Sequence, residues 1–180
     1  MNTHKNEKGI ILLEAIVAVG VLATMFAATM ALFTYSVQGV RISSDQLIAT
    51  YLAQDAMEQV VGKNQYNADN FFAWLLDLGV CSGASGCAMN YLNEQDFDEA
   101  PLSCASSNSC KLYFDGAVYT ATNTGGGAGA GWSRFTRVTR INVVGHEAHV
   151  TVTVSWPDGP TTMEYSLQFT LYDTESAFPF

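Results

Sequence analysis

The chain has 180 residues, enough for one modest domain and a membrane segment. It carries 8 Lys and Arg against 17 Asp and Glu, a formal net charge of −9. This balance argues against a general nucleic-acid-binding protein, whose contact surface would be basic. Hydrophobic residues make up 48% of the chain and are concentrated in its first third. The distribution indicates a lipid-soluble N-terminal segment joined to a water-soluble C-terminal domain.

Residues 1–9 form a short polar leader with Lys5 and Lys8, and residues 10–33 are almost entirely apolar. As a helix, the apolar segment would be roughly 36 Å long, enough to cross a bilayer. The small residue Gly9 precedes this segment, so cleavage there would remove the leader and keep the apolar segment. An uncleaved signal anchor with its lysines in the cytoplasm is the alternative. Both interpretations place the rest of the chain outside the cytoplasm.

The helical pattern continues past Phe33, with apolar residues at intervals of three and four and polar residues on the other side. The apolar set is Leu47, Ile48, Tyr51, Leu52, Met57, Val60 and Val61. We therefore predict one helix over residues 10–62, spanning the membrane to about residue 33 and ending at Gly62. A helix of this length is unusual in an isolated globular domain, so it implies packing against other subunits.

Residues 63–180 are predicted to form a globular head. A short helix is expected at 70–78, and loops rich in Ser, Gly and Asn at 81–110. Period-2 alternation predicts strands at 134–144, 150–156 and 163–171, with a weaker strand at 111–122. Alternation of this kind gives an antiparallel sheet with one buried face, which the amphipathic half of the long helix can cover. The predicted fold class is α+β, with a sheet of three to four strands.

The four cysteines lie in the predicted loops, with no histidine near them. Two disulfides in an oxidising compartment explain them better than a metal site. Three connectivities are possible, and the local pairs Cys81–Cys87 and Cys104–Cys110 are favoured.

Glu14 is a carboxylate close to the start of a predicted membrane-spanning helix, where a charge costs a few kcal/mol unless it is paired. Cleavage after Gly9 would give Ile10 a free, positively charged amine four residues before Glu14, on the same helix face. In a staggered assembly, the amine of one subunit could neutralise Glu14 of the next. A Glu14 side chain that reaches back to the lipid headgroups is the structural alternative.

The residues Lys8-Gly9, Ile10-x-Leu12-x-Glu14 and the apolar helix resemble the start of type IV pilin superfamily members. The resemblance covers roughly the first sixty residues. It implies cleavage after Gly9 by a prepilin peptidase, methylation of Ile10, and a registry role for Glu14 between subunits. It also implies other pilin subunits and an inner-membrane assembly machinery as partners. The chain would lie in the inner membrane with its head extracytoplasmic, and later in a pilus or pseudopilus.

Departures from the family pattern favour a minor subunit. The proline late in the apolar helix of many major pilins is missing, and the head is long with dispersed cysteines. Ile10 and Ile11 also replace the commoner phenylalanine and threonine, which could slow processing without preventing it. The expected function is a minor pilin, and the filament tip and the initiation of assembly are the candidate places for it. A type II secretion pseudopilin is the alternative within the superfamily. A membrane-anchored binding module or adhesin that does not polymerise is the alternative from another class.

Other patterns are assigned structural roles. The acidic residues Glu94, Asp96, Asp98 and Glu99 have the spacing of a calcium loop but lack its glycine and closing glutamate, so a solvated loop is favoured. The glycine-rich run at 125–131 is expected to be a connector, without a dinucleotide. Arg134, Arg137 and Arg140 are expected to pair with carboxylates. His146 and His149 have no catalytic partners in the sequence. We expect no enzyme activity and no cofactor.

Overall fold

The computed structural model describes residues 7–70, 72–89, 97, 100–105, 110–114, 116–121 and 131–173. The side chains of residues 7–11 and 132 are outside this description. Helix α1 runs over Glu7–Asp69, a length of 63 residues. The chain forms two compact units, Met1–Asp45 and Gln46–Phe180, and the boundary between them falls within α1.

The described part of the first unit is the N-terminal part of α1, up to Asp45. Every side chain from residue 12 to residue 44 is exposed. The hydroxyls of Thr24, Thr29 and Thr34 donate to the carbonyls of Val21, Phe26 and Met30, at 2.8–2.9 Å, within the helix itself. Each of these polar groups therefore has a partner that lipid could not supply. By length and composition, α1 could cross a membrane.

The end of α1 differs from the prediction, because the helix passes through Gly62 and ends at Asp69. The expected short helix at 70–78 is also not formed in the described residues. Residues 74–77 are turns, and a 3₁₀ helix follows at Leu78–Ser82. Asp77 has a left-handed backbone, with φ of 67°, which breaks any α-helix at that point.

The sheet of the second unit has seven strands instead of three to four. They are β1 (Cys87–Ala88), β2 (Leu102–Ser103), β3 (Lys111–Phe114), β4 (Tyr119–Thr120), β5 (Gly131–Val144), β6 (Glu147–Asp158) and β7 (Thr161–Tyr172). All the pairs are antiparallel. Strand β5 is central, since it pairs with β6 along one edge and with β1 and β3 along the other. β6 also pairs with β7.

The three long strands agree with the prediction, and the additional strands are short. β1 and β2, of two residues each, lie in the segment predicted as loops. The predicted weak strand at 111–122 is divided into β3 and β4.

The core lies between the sheet and the part of α1 that begins at residue 46. The sheet contributes the alternating residues of β6, whose exposure is 0–4%, together with Phe135 and Ile141. The helix contributes Ala49, Leu52, Ala53, Ala56 and Val60. This buried set differs from the predicted one, because the large residues Leu47, Tyr51 and Val61 are exposed. Three alanines instead face the sheet, and small side chains let a helix backbone approach a sheet closely.

Two disulfides connect the short elements to the core, in the local pairing that the sequence favours. Cys81 in the 3₁₀ helix is bonded to Cys87 in β1, and both are fully buried. Cys104, after β2, is bonded to Cys110, before β3. The amide of Cys104 donates to the carbonyl of Gly86 at 3.0 Å, and the amide of Arg137 donates to the carbonyl of Cys110 at 2.9 Å. The first of these bonds joins the two disulfide loops to each other, and the second joins Cys110 to β5.

Candidate functional site

The first candidate site is the start of α1. Gly9, Ile10 and Glu14 all lie within the helix, and the Glu14 side chain is exposed. The rise from Ile10 to Glu14 is about 6 Å, a little more than one turn, so the two positions share a face. From residue 12 to residue 40, Glu14 is the single charged residue. The segment thus presents one carboxylate on an otherwise uncharged helix surface.

The side chains around and beyond Glu14 form a continuous apolar surface. Leu22, Phe26 and Phe33 are 54%, 66% and 68% exposed, and the other large apolar residues of this segment are similar. An exposed apolar surface of this extent marks contact with lipid or with other protein. The arrangement is chemically suited to anchoring and to helix packing.

The second unit has a buried cation, Arg137, on the inner face of β5. Its side chain is 1% exposed. Its guanidinium donates to the carbonyl of Leu52 at 3.1 Å, to the carbonyl of Met89 at 2.8 Å, and to the Asp55 carboxylate. Burial lowers the pKa of Arg137, and the neighbouring Asp55 carboxylate counters this effect. Arg137 therefore joins α1, β5 and the end of β1 at one point.

A second buried cation, Lys63, fixes the last turns of α1. Its ammonium donates to Asp77 Oδ2 at 2.9 Å and to the carbonyl of Phe97, and lies 5.8 Å from the centre of the Tyr66 ring. One turn later, the buried Asn67 donates to the carbonyl of Leu76 at 3.2 Å. These contacts hold the segment after α1 against the helix.

Sequence reasoning predicted the pairing of Arg137 with a carboxylate but not its burial, and it missed Lys63 as a buried group. Arg137 and its partner Asp55 are 82 positions apart. No local pattern links them, so the fold was needed to find the pair.

An apolar groove of about 410 Å³ also lies in the second unit. Ile48, Tyr51 and Leu52 of α1 line one side, and residues 117–119 line the other. Asp55 at its edge is already engaged by Arg137.

The remaining predicted groups are dispersed. Arg134 donates to the carbonyl of Pro157, and Arg140 donates to the carbonyl of Ala84 at 3.1 Å. His146 lies 3.7 Å from Asp173, and His149 lies 3.7 Å from Glu147. Within the described part of the chain, no three His, Cys, Asp or Glu residues are grouped as metal ligands would be.

The candidate calcium ligands Glu94, Asp96 and Asp98 lie outside the described residues, as does most of the glycine-rich run at 125–131. No protein family, no curated protein and no solved structure matches this chain.

Proposed function

We propose that this chain is a structural subunit of a type IV pilus-like filament, of the minor pilin type. The observation that carries the proposal is α1, a helix of 63 residues whose exposed apolar surface is interrupted by Glu14. Glu14 follows Gly9 at the distance found in pilin precursors, which the start of the chain resembles. An apolar helix surface of this kind serves first in lipid and then against the helices of other subunits.

The proposed role of Glu14 follows from the cost of a charge in an apolar environment. A carboxylate in the membrane or in a helical filament core costs a few kcal/mol unless a cation neutralises it. A prepilin peptidase that cleaves after Gly9 supplies that cation, because the new amine of Ile10 is positively charged. Methylation of Ile10 leaves an amine that retains the charge. Pairing the amine of one subunit with Glu14 of the next sets the stagger between them.

The head is proposed to lie outside the cytoplasm, where an oxidising environment permits its two disulfides. The Arg137 and Lys63 contacts hold the sheet and the loop after α1 on the helix, so the head would move as one body with residues 46–69.

The primary test is the intact mass of the protein extracted from membranes. A mass that lacks residues 1–9 and carries one added methyl group is expected. A full-length, unmethylated chain contradicts the pilin assignment and favours the uncleaved signal anchor.

The assembly role of Glu14 is tested with Glu14→Ala. This variant is expected to insert and to be cleaved after Gly9, but to be lost from sheared filaments. The matched control is Thr24→Ala, because the Thr24 hydroxyl bonds to its own helix and its removal leaves no other subunit without a partner. Normal incorporation of the Glu14 variant would rule out the registry role.

The same filament preparation distinguishes the alternatives. A chain that is cleaved and found in surface filaments is a pilin, and one that stays in periplasmic assemblies is a type II secretion pseudopilin. A chain that stays monomeric in the membrane after cleavage is an anchored binding module or adhesin.

A further inference from the structure

Strand β7 lies at an edge of the sheet in the part of the chain that the structure describes. It pairs with β6 through an unbroken register of twelve residue pairs, from Glu147↔Tyr172 to Asp158↔Thr161. Among the described residues, no strand pairs with its other side. About half of the amide and carbonyl groups of an edge strand point away from its one neighbour, so β7 offers a long row of backbone donors and acceptors.

The edge lacks the devices that usually prevent pairing. Natural edge strands are shortened, bulged, or carry proline or lysine. β7 has twelve residues, a continuous register, no proline, and Glu164 as its single charge. The strands at the opposite margins of the sheet, β2 and β4, are two residues long each.

The inner face of the sheet is incompletely covered at this edge. On β6, the residues that face the helix are 0–4% exposed. Their neighbours on β7, the apolar residues Tyr165, Leu167, Phe169 and Leu171, are half-buried, and Met163 is 39% exposed. One further strand with apolar residues on this face would cover them. Within the described residues, the backbone and the side chains thus both leave room for one further strand at this edge.

A second copy of this chain fits the edge poorly. Two β7 strands can extend one sheet with a common inner face only around a two-fold axis perpendicular to it. Such an axis would place two copies of this unit side by side. Residues 46–180 also carry fourteen Asp and Glu against five Lys and Arg, so the whole net charge of −9 lies in this unit. Two such units repel each other.

We propose that β7 accepts an extended segment of a different protein as an additional antiparallel strand. The segment alternates apolar residues, which lie over the half-buried side chains of β7, with polar residues on the outer face. It carries a Lys or Arg opposite Glu164, which matches the acidic unit to which it binds. Strand addition of this kind draws its affinity from the backbone and its selectivity from alternate side chains. It requires no polymerisation of this chain.

The test uses the full-length chain in lipid nanodiscs and hydrogen exchange read by mass spectrometry. The probe is a synthetic nine-residue peptide that alternates valine with threonine and lysine. Without the peptide, about half of the β7 amides are expected to exchange at least tenfold faster than the β6 amides. With the peptide, the exchange of these β7 amides should slow by about tenfold or more. A twin peptide, N-methylated on alternate amides, keeps the same side chains but cannot pair, and should give no protection.

Two variants test the selectivity. Glu164→Gln is expected to weaken peptide binding about 2- to 5-fold, the size of one cross-strand ion pair. Glu58→Gln makes the same charge change on an exposed helix position away from the edge and should leave the affinity unchanged. Equal weakening by both would show that the peptide binds by net charge alone, and the proposal would fail.

Three other results overturn the proposal. If β7 amides in the free protein exchange as slowly as those of β6, the edge is already covered. If their protection increases with protein concentration, the occupant is a second copy. If the N-methylated twin protects as well as the parent peptide, the contact is not backbone pairing.

Discussion

Replacing Asp55 with asparagine is expected to destabilise the second unit, and replacing Arg137 with methionine in the same chain is expected to restore part of the loss. Asp55→Asn leaves the guanidinium buried at 1% exposure, without its counter-charge. The double variant removes both charges, and methionine fills much of the space of the arginine side chain. Stability that is lost on removal of one charge and partly regained on removal of the second is specific to a buried ion pair.

The magnitudes follow from the exposure of the two partners. Removing one member of a buried pair typically costs about 3–5 kcal/mol. The Asp55 side chain is 50% exposed, so solvent screens part of its attraction and the expected cost falls to about 2–3 kcal/mol. In the double variant, the main loss is the bond to the Met89 carbonyl, which costs about 1–2 kcal/mol when left unpaired. The Leu52 carbonyl keeps its helical bond.

The assay is thermal unfolding of the full-length protein in detergent micelles, followed by tryptophan fluorescence. Asp55→Asn should lower the midpoint by roughly 10 °C, and the double variant by less. The control is Glu58→Gln, an exposed carboxylate on the same helix, with an expected effect within about 0.5 kcal/mol. A double variant that is less stable than Asp55→Asn alone would refute the reasoning.

Two further predictions concern backbone geometry and the second buried cation. Gly86→Ala should cost about 2–4 kcal/mol, because Gly86 has φ of +70° and a Cβ would lie 2.7 Å from the carbonyl oxygen of Thr139. Gly145→Ala is the control, because Gly145 has φ of +64° and open space around it, and it should cost only about 1–2 kcal/mol. Thermal unfolding measures both variants, and equal losses of stability in Gly86→Ala and Gly145→Ala would disprove the steric argument. Lys63→Met should leave Asp77 without its ion pair. Limited proteolysis should then cleave residues 72–89 faster than in the parent protein. Unchanged cleavage would show that Lys63 does not hold this segment.

The sequence predicts the first part of the long helix from its uninterrupted apolar run, its second part from apolar spacing at threes and fours, and the three long strands from a period of 2. It does not predict β1 and β2, since two residues are too few to show alternation. The apolar pattern predicts large residues on the buried side of α1, whereas Ala49, Ala53 and Ala56 face the sheet. Close helix–sheet packing selects small residues there, and a search for bulky residues overlooks them.

The end of α1 shows how tertiary contacts override local preference. Gly62 disfavours a helix by about 1 kcal/mol, which made it the expected end. The contacts of Lys63 and Asn67 across the segment that follows compensate for this cost and carry the helix to Asp69. These contacts join residues 9 to 34 positions apart, which a local pattern does not reveal. The prediction for Gly9, Ile10 and Glu14, by contrast, rests on local spacing alone.

Both disulfides close short loops, with partners only six positions apart. Chain entropy gives each such crosslink about 2 kcal/mol, and the constraint acts on its own loop. Backbone bonds join the two loops to each other, at Gly86 and Cys104, and to β5, at Cys110, and such bonds depend little on side-chain identity. Apart from Gly86 and the cysteines themselves, mutations can therefore accumulate within these loops while the core sequence stays fixed. A lineage could diversify the sequence of these loops quickly without losing a foldable domain.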